Sequence, residues 1–532
     1  MTITNFSYHS QLSFDINFSQ SLELTNLEKS LLFLLENVDW NRFECEKPSK
    51  QKGRPNVVDA YTMMLLILYG RIQGKYSSRE LENLAKRDLF LLTAFDGKKV
   101  PDHVTINRFI KNHPKSIEYV FTQSVMNLDK LGELSKDVLF QDGTKIESRA
   151  NKYSFVWKGA IETNLPKLKA KIEKLLVEIK EAYGWSFAEE ENLQDSLEQL
   201  KEMMEFNFTS LTPTKRGRGH RLTVEQKFYR QVVAYLDKLK DYKTNLELIG
   251  KERRSMSKTD RDATFMRMKD DYMRNGQLKA AYNIQNLVDS GYVVGCTSSS
   301  DRADYNTMVP ALKKVMSHYP WRYQGYCADS GYDALANHLL LKELGITNYI
   351  KPQNYEFSKR RKFKNNIGLH QNMQYNEKED YYICKAGRKL HAVGFTNSRR
   401  KFGPKTKVTI YRCKRGCVSC KFRKECMSRN RGKYKNLYVD RQFYNFQKEN
   451  LENITSDFGT EVRVNRSIQV EGSFAQIKSN LSFTRFKSFG KKRTTSEWIL
   501  MCFAMNIIRL AARSDANLLG TPYWYKLEPE VS

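Results

Sequence analysis

The stretch VLFQDGTKIE, residues 138–147, decides how this chain is read. It opens a longer β-branched and aromatic segment, KDVLFQDGTKIESRANKYSFVWKG (136–159), in which apolar and polar residues alternate. Alternation with period two predicts strands. The Asp142-Gly143 pair predicts a turn between two of them. Asp142 then stands at the carboxyl end of a strand or in its turn, where open α/β sheets place functional groups. Taken alone, a β-turn aspartate explains it at least as well.

Downstream, strand patterns alternate with helical ones. Strands are expected at 278–298, a helix at 305–318, a strand at 324–329, a helix at 333–345 and a strand at 347–351. This order predicts an α/β fold with a mixed sheet and flanking helices. Asp329 ends the third of these segments, in GYCADSGYDALANHLLLKELGI. Asp333 is the better N-cap for the helix that follows, which leaves Asp329 free to bind metal. Glu471 lies in RSIQVEGSFAQIKSN (466–480), whose apolar residues Val470, Phe474, Ile477 and Leu481 have helical spacing. At 100° per residue Lys478 shares the face of Glu471. An exposed Glu–Lys helix surface is the plainer explanation of that pair. Three such acids could hold a pair of divalent ions about 4 Å apart for phosphoryl transfer, with the lysine on phosphate. Glu147, Asp262, Asp270, Asp271, Asp301 and Asp304 compete for the role, and spacing alone does not choose among them.

Composition narrows the partner. The chain has 532 residues and a formal net charge of +29, with 40% hydrophobic and 12% aromatic residues. That length predicts two to four domains, and the apolar content excludes global disorder. The basic excess favours a polyanion, nucleic acid before a membrane surface. From Lys385 to Arg441 nineteen Lys and Arg face only Glu425 and Asp440, a surplus of 17. Phe402, Tyr411, Phe422, Tyr434 and Tyr438 are interleaved with them, as in a nucleic-acid-binding surface. Lys414, Arg415, Arg423 and Lys424 are its candidate DNA contacts. The first residues lack a secretory pattern. The runs MMLLILY (63–69) and WILMCFAM (498–505) are far shorter than the roughly 20 residues of a membrane span. The expectation is an intracellular, cytoplasmic protein associated with the nucleoid and with no membrane partner.

Four of the nine cysteines, Cys413, Cys417, Cys420 and Cys426, crowd into fourteen residues as C-x3-C-x2-C-x5-C. In a reducing compartment this suggests a structural Zn2+ site, with unliganded thiols as the alternative and Cys384 as a spare ligand. Residues 1–125 read as short helices, compatible with a helix-turn-helix DNA-binding module or a helical dimerisation domain. Ser77 or Ser78 and Asp102 or Thr105 are candidate caps. In LPKLKAKIEKLLVEIKEA, apolar residues at 165, 168, 172, 175, 176 and 179 predict a long helix in a helical insertion over 160–250.

Several blocks together resemble the DDE transposases of bacterial insertion sequences, most closely the insertion sequence 1182 family. GRPNVVDAYTMMLLILYGRIQGKYSSRELENLAKRDLFLLTAFDGKKVPDHVTINRF (53–109) is similar to the family's N-terminal domain. DGTKIESRANKYSFVWK, ADSGYD and VEGSFAQIK resemble its three catalytic blocks, and SKTDRDATFMRMKDDYMRNGQLKAAYNIQ (257–285) a block before its central strands. The resemblance implies a ribonuclease-H-like core in which Asp142, Asp329 and Glu471 bind Mg2+ or Mn2+. It further implies cutting and joining of terminal inverted repeats, with double-stranded DNA (element ends and target) as partner and a homodimer at synapsis. Lys478 matches the lysine of the family's YREK signature. Arg466, a candidate phosphate contact, stands at R-x4-E where the signature has R-x3-E, and no tyrosine fills the upstream place.

The expected parts are an N-terminal helical DNA-binding domain (1–130), a first piece of catalytic core (131–158), a helical insertion (159–255) and a second piece of core (256–354). A basic Cys-containing β-rich insertion for DNA or zinc (355–450) and the final catalytic and C-terminal helices (451–532) complete them. Two other functions remain open: an inactive or repurposed DNA-binding protein, and a ribonuclease-H-like nuclease that cuts without strand transfer.

Overall fold

The computed structural model describes residues 23–44, 58–185, 192–211, 222–268, 276–400, 403–427 and 432–523. The GRP turn at 53–55, most of the basic loop 212–223, and Asp270 and Asp271 lie outside them.

The central sheet is built on β1 (Val138–Glu147). On one side β1 pairs antiparallel with β5 (Leu278–Asp289), Asp142 facing Asn286. On the other it runs parallel to β7 (Gly325–Ala328), Gln141 facing Ala328. β7 in turn runs parallel to the two-residue β8 (Thr347–Asn348). The far edge of β5 is shared: β4 (Thr264–Arg267) takes its first residues and β6 (Tyr292–Ser299) the rest. Residues 138–144 of β1 are all buried, because both faces of the strand are covered.

The strand does not turn at Asp142-Gly143, as expected, but runs on to Glu147. The glycine serves close approach: a Cβ there would lie 2.3 Å from Gln285 Nε2 and 2.8 Å from Asp304 Oδ1. Asp142 therefore sits in mid-strand.

One face of the sheet is covered by the helix Lys491–Asp515, which also packs against Asn26–Leu35, Ala60–Ile72 and Pro114–Lys130. Its apolar stretch is long enough to cross a membrane, but 78% of that window is buried inside the protein. Trp498 Nε1 donates to Asn286 Oδ1 at 2.8 Å, pinning the helix to the strand beside Asp142. The N-terminal helices share one continuous apolar core with the sheet, from Leu31 to Leu510. Their caps follow the sequence. Ser77 and Glu80 form a capping box before Ser78–Ala85. Asp102 Oδ1 accepts from Thr105 N at 2.8 Å before His103–Asn112. Arg108 and Lys111 on the latter helix are exposed.

Two insertions leave this core. The short strands β2 (Phe155–Trp157) and β3 (Ser255–Ser257) pair and form the stem of the first. Beyond them Lys158–Tyr183, Leu193–Asn207 and Val224–Ile249 pack around their own apolar cluster, including Leu168, Ile172, Leu175, Ile179, Leu197 and Val232. The second is an antiparallel meander: β9 (Gln374–Asn376), β10 (Tyr381–Ile383), β11 (Lys389–Asn397), β12 (Lys407–Arg412) and β13 (Asn436–Val439).

Candidate active site

Register brings the first two acids together. Gln141 of β1 faces Ala328 of β7. Asp142 and Asp329 are therefore the next pair on adjacent parallel strands, whose spacing is about 4.8 Å. Asp142 is buried, and its Oδ1 accepts from Gly143 N at 2.7 Å. Asp329 is half-buried and accepts from Gly331 N at 2.7 Å, capping the short turn Ser330–Tyr332. The expected N-cap role of Asp333 is not seen. Its carboxylate is taken by His338 Nε2 at 2.8 Å, Gln353 N at 2.8 Å and Gln447 Nε2 at 2.7 Å, so it ties the next helix to distant chain. The helix Leu335–Glu343 has no side-chain cap.

Glu471 comes from the opposite side, on a helix that changes form. Asp457–Arg466 is α-helical, Ser467–Glu471 forms a π turn, Gly472–Ala475 returns to α, and Gln476–Asn480 is π again. A π turn pairs residues five apart and takes in one extra residue. This is the spacing of Arg466 and Glu471. The fifth residue of R-x4-E is absorbed by the wider turn, and Arg466 Nη2 reaches Glu471 Oε1 at 3.3 Å. The expected Glu471–Lys478 alignment assumed 100° steps along an unbroken α-helix, and a π turn interrupts it here. Lys478 is half-buried on the second π turn.

Arg466 is the hub of the site. Its Nη1 lies 3.2 Å from Asp142 Oδ2 while Nη2 holds Glu471. The planar fork thus spans two carboxylates, a geometry suited to a guanidinium. Burial works to lower its pKa. Asp142, Cys327, Asp329 and Glu471 outweigh that, so the guanidinium is held above its ordinary range. Asp142 and Glu471 thus pair with one cation, and Asp329 is its electrostatic neighbour.

A fourth acid lies on the other face of the same strand. Asp304 Oδ1 accepts from Asn283 Nδ2 at 2.7 Å and from Gln285 Nε2 at 3.1 Å. Its carboxylate lies against Gly143 and Gly331, on the face of β1 towards which Gly143 and Gln285 point, opposite the Asp142 side chain. The buried Tyr332 hydroxyl, pushed well above its usual range by burial, also has Asp304, Asp142 and Asp329 as electrostatic neighbours. No sequence signal separated Asp304 from the other competing acids. The R-x4-E spacing was a visible signal for the π turn.

As side chains stand, no group of three or more His, Cys, Asp or Glu among the described residues is set to hold a metal ion. Arg466 stands where a cation is required, between Asp142 and Glu471, with Asp329 on the strand beside Asp142.

Of the expected DNA contacts, Lys414, Arg415 and Lys424 are exposed. Arg423 is not free for DNA. Its guanidinium donates to the carbonyls of Cys417 (2.9 Å), Gly432 (3.1 Å) and Lys433 (3.2 Å), so it braces its own loop.

Two family models match the chain. The transposase DDE domain matches residues 383–511, which include Arg466, Glu471 and Lys478. The transposase domain DUF772 matches residues 20–112, the N-terminal helices. No curated protein matches. Both matches are to transposase domains, and they indicate transposase function.

Proposed function

We propose that this chain is the transposase of a bacterial insertion sequence, of the 1182 family, cutting and joining its terminal inverted repeats by metal-dependent phosphoryl transfer. The observation that carries the reading is the register of β1 and β7, which sets Asp142 beside Asp329, with Arg466 linking Asp142 to Glu471. Strand order also supports a ribonuclease-H-like core: three antiparallel strands, β6, β5 and β1, continued by the parallel β7 and β8.

In this reading Asp142, Asp329 and Glu471 hold Mg2+ or Mn2+. When bound, the metal would activate an attacking oxygen and stabilise the leaving one. Asp304 orients Asn283 and Gln285 beneath the site. Arg466 neutralises the acids until DNA enters, then turns its fork to a phosphate, which a guanidinium binds in the same bidentate way. Lys478 holds a neighbouring phosphate. Lys414, Arg415 and Lys424 bind the DNA backbone, and two copies of the chain bring two ends together.

The test is Asp142→Asn with labelled end DNA. The substitution abolishes Mg2+-dependent cleavage and leaves gel-shift affinity intact; undiminished cleavage refutes the assignment. Pre-cut ends then separate a transposase, which joins them to target, from a nuclease that does not.

A further inference from the structure

Five of the chain's nine cysteines come from separate segments to one place. Cys384 lies in the turn between β10 and β11, Cys413 follows β12, Cys417 and Cys420 lie in the next loop, and Cys426 ends the short helix Arg423–Cys426. All five line one cavity of about 30 Å³, closed by Ile367, Leu390, Phe422 and Met427. All are free thiols.

The sheet around them needs a staple. Its apolar cluster has nine buried side chains, and two of these are Cys413 and Cys417. A unit of about 70 residues rarely draws more than about 3–5 kcal/mol from such a core. Here the core must also resist mutual repulsion within a stretch whose surplus charge is 17. Three cations already brace the cysteine loop by donating to its carbonyls: Arg388 to Gly416, Arg423 to Cys417 and Lys435 to Cys426.

We propose that Cys384, Cys417, Cys420 and Cys426 form a structural zinc site that ties the β10–β11 turn to the loop after β12. This differs from the set suggested by sequence spacing, which has Cys413 in place of Cys384. Cys426 has Cys384, Cys417 and Cys420 as its cysteine neighbours. The Cys413 thiol also has Cys417 and Cys384 as neighbours, but it is buried and donates to Arg415 O at 3.2 Å, so its proton already has an acceptor. The sulfurs are not yet at ligand spacing, and zinc closes the cavity by drawing the loop inward. Zn2+ suits four thiolates and a loop-rich segment better than a hard cation does.

The experiment uses the full chain, purified with reductant from zinc-supplemented cells. Elemental analysis gives about one zinc per chain, and Co2+ exchange gives a sulfur-to-cobalt charge-transfer band with tetrahedral d–d bands. Cys384→Ser lowers zinc affinity at least tenfold, whereas Cys413→Ser keeps it. Wild-type protein without zinc and without the cobalt bands overturns the site, as does iron in its place. Zinc lost from Cys413→Ser but kept in Cys384→Ser overturns the ligand set. Asp142→Asn keeps its zinc, so this outcome is independent of the cleavage assignment.

Discussion

Arg466→Gln removes the cation around which the acidic site is assembled, and its effect can be worked out from the two ion pairs. The Asp142 pair is nearly enclosed, with the side chains of Arg466 and Asp142 only 16% and 11% exposed. Removing one partner of a fully buried pair costs about 3–5 kcal/mol, because the other charge is stranded. The bond Asp142 keeps to Gly143 N offsets part of this. The Glu471 side chain is 59% exposed. Losing its half therefore adds at most about 1 kcal/mol. A destabilisation of about 3 kcal/mol follows. The same quantity sets metal affinity: a divalent ion entering the wild-type site must displace the guanidinium, and in the variant it need not. At about 1.4 kcal/mol per decade, Mn2+ binds Arg466→Gln up to about 100-fold more tightly than wild type. Saturating Mn2+ at about 100 times its dissociation constant returns about 2.7 kcal/mol and nearly restores stability. Urea unfolding with and without Mn2+ measures the first effect, and Mn2+ titration followed by electron paramagnetic resonance measures the second. A variant as stable as wild type without metal, and no tighter for Mn2+, would refute the role of Arg466 as a cation held in place of metal.

Gly143→Ala drives a methyl group against Gln285 Nε2, which cannot swing aside because Gln285 Oε1 is held by Gln141 Nε2 at 2.8 Å. A loss of about 1–3 kcal/mol in urea unfolding is expected. His370 is half-buried against Tyr382 and Tyr444, and this burial lowers its pKa to about 4. The unfolded imidazole takes up a proton near pH 6.5 that the folded one refuses. The stability of the small sheet is therefore full above about pH 6.5 and falls as pH drops towards about 4. Hydrogen exchange of β10 and β12 should show that slope in wild type and a flatter one in His370→Phe. The first insertion enters and leaves through paired strands, with Lys158 N donating to Arg254 O at 3.0 Å. Replacing residues 159–253 with an Asn-Gly hairpin turn should leave the unfolding free energy of the central sheet unchanged within about 1 kcal/mol. Loss of soluble protein would show that the insertion supports the core.

The sequence was most legible where one periodicity holds over a whole element. The apolar run of Ala60–Ile72, the spaced leucines and isoleucines of Lys158–Tyr183 and the strand ending before Asp329 all formed as expected. It misled where one residue type serves two ends. Gly143 looked like a turn residue but permits backbone and side chains to crowd inside a sheet. Asp333 looked like a cap, but partners at positions 338, 353 and 447 claim its oxygens, and no local rule contains them. Lys478 was placed by an α-helical step that a π turn interrupts. Asp304 is held near Gly143 because β5 carries Asn283 and Gln285 to it, a relation created by strand pairing. Arg423 looked like one more surface cation in a basic run, and only the folded loop reveals the carbonyls that occupy it.

The helix Lys491–Asp515 has a temporal meaning. Leu31, Leu34 and Leu35 are buried against structure that includes this helix, and Asn26 Nδ2 donates to Asp515 Oδ1 at 2.6 Å. Most of the chain must be translated between the two segments, which takes on the order of half a minute or more at ordinary elongation rates. Throughout that interval the first helices lack the cover of this helix and have Ala60–Ile72 and Pro114–Lys130 as partners for their apolar faces. A product interrupted before residue 491 can carry Asp142, Asp329 and even Glu471, yet it lacks the helix that buries Trp498 beside Asn286. The acids are then written in the chain without the scaffold that assembles them. Completion of translation, rather than synthesis of the acidic residues, is the step that brings the acids together.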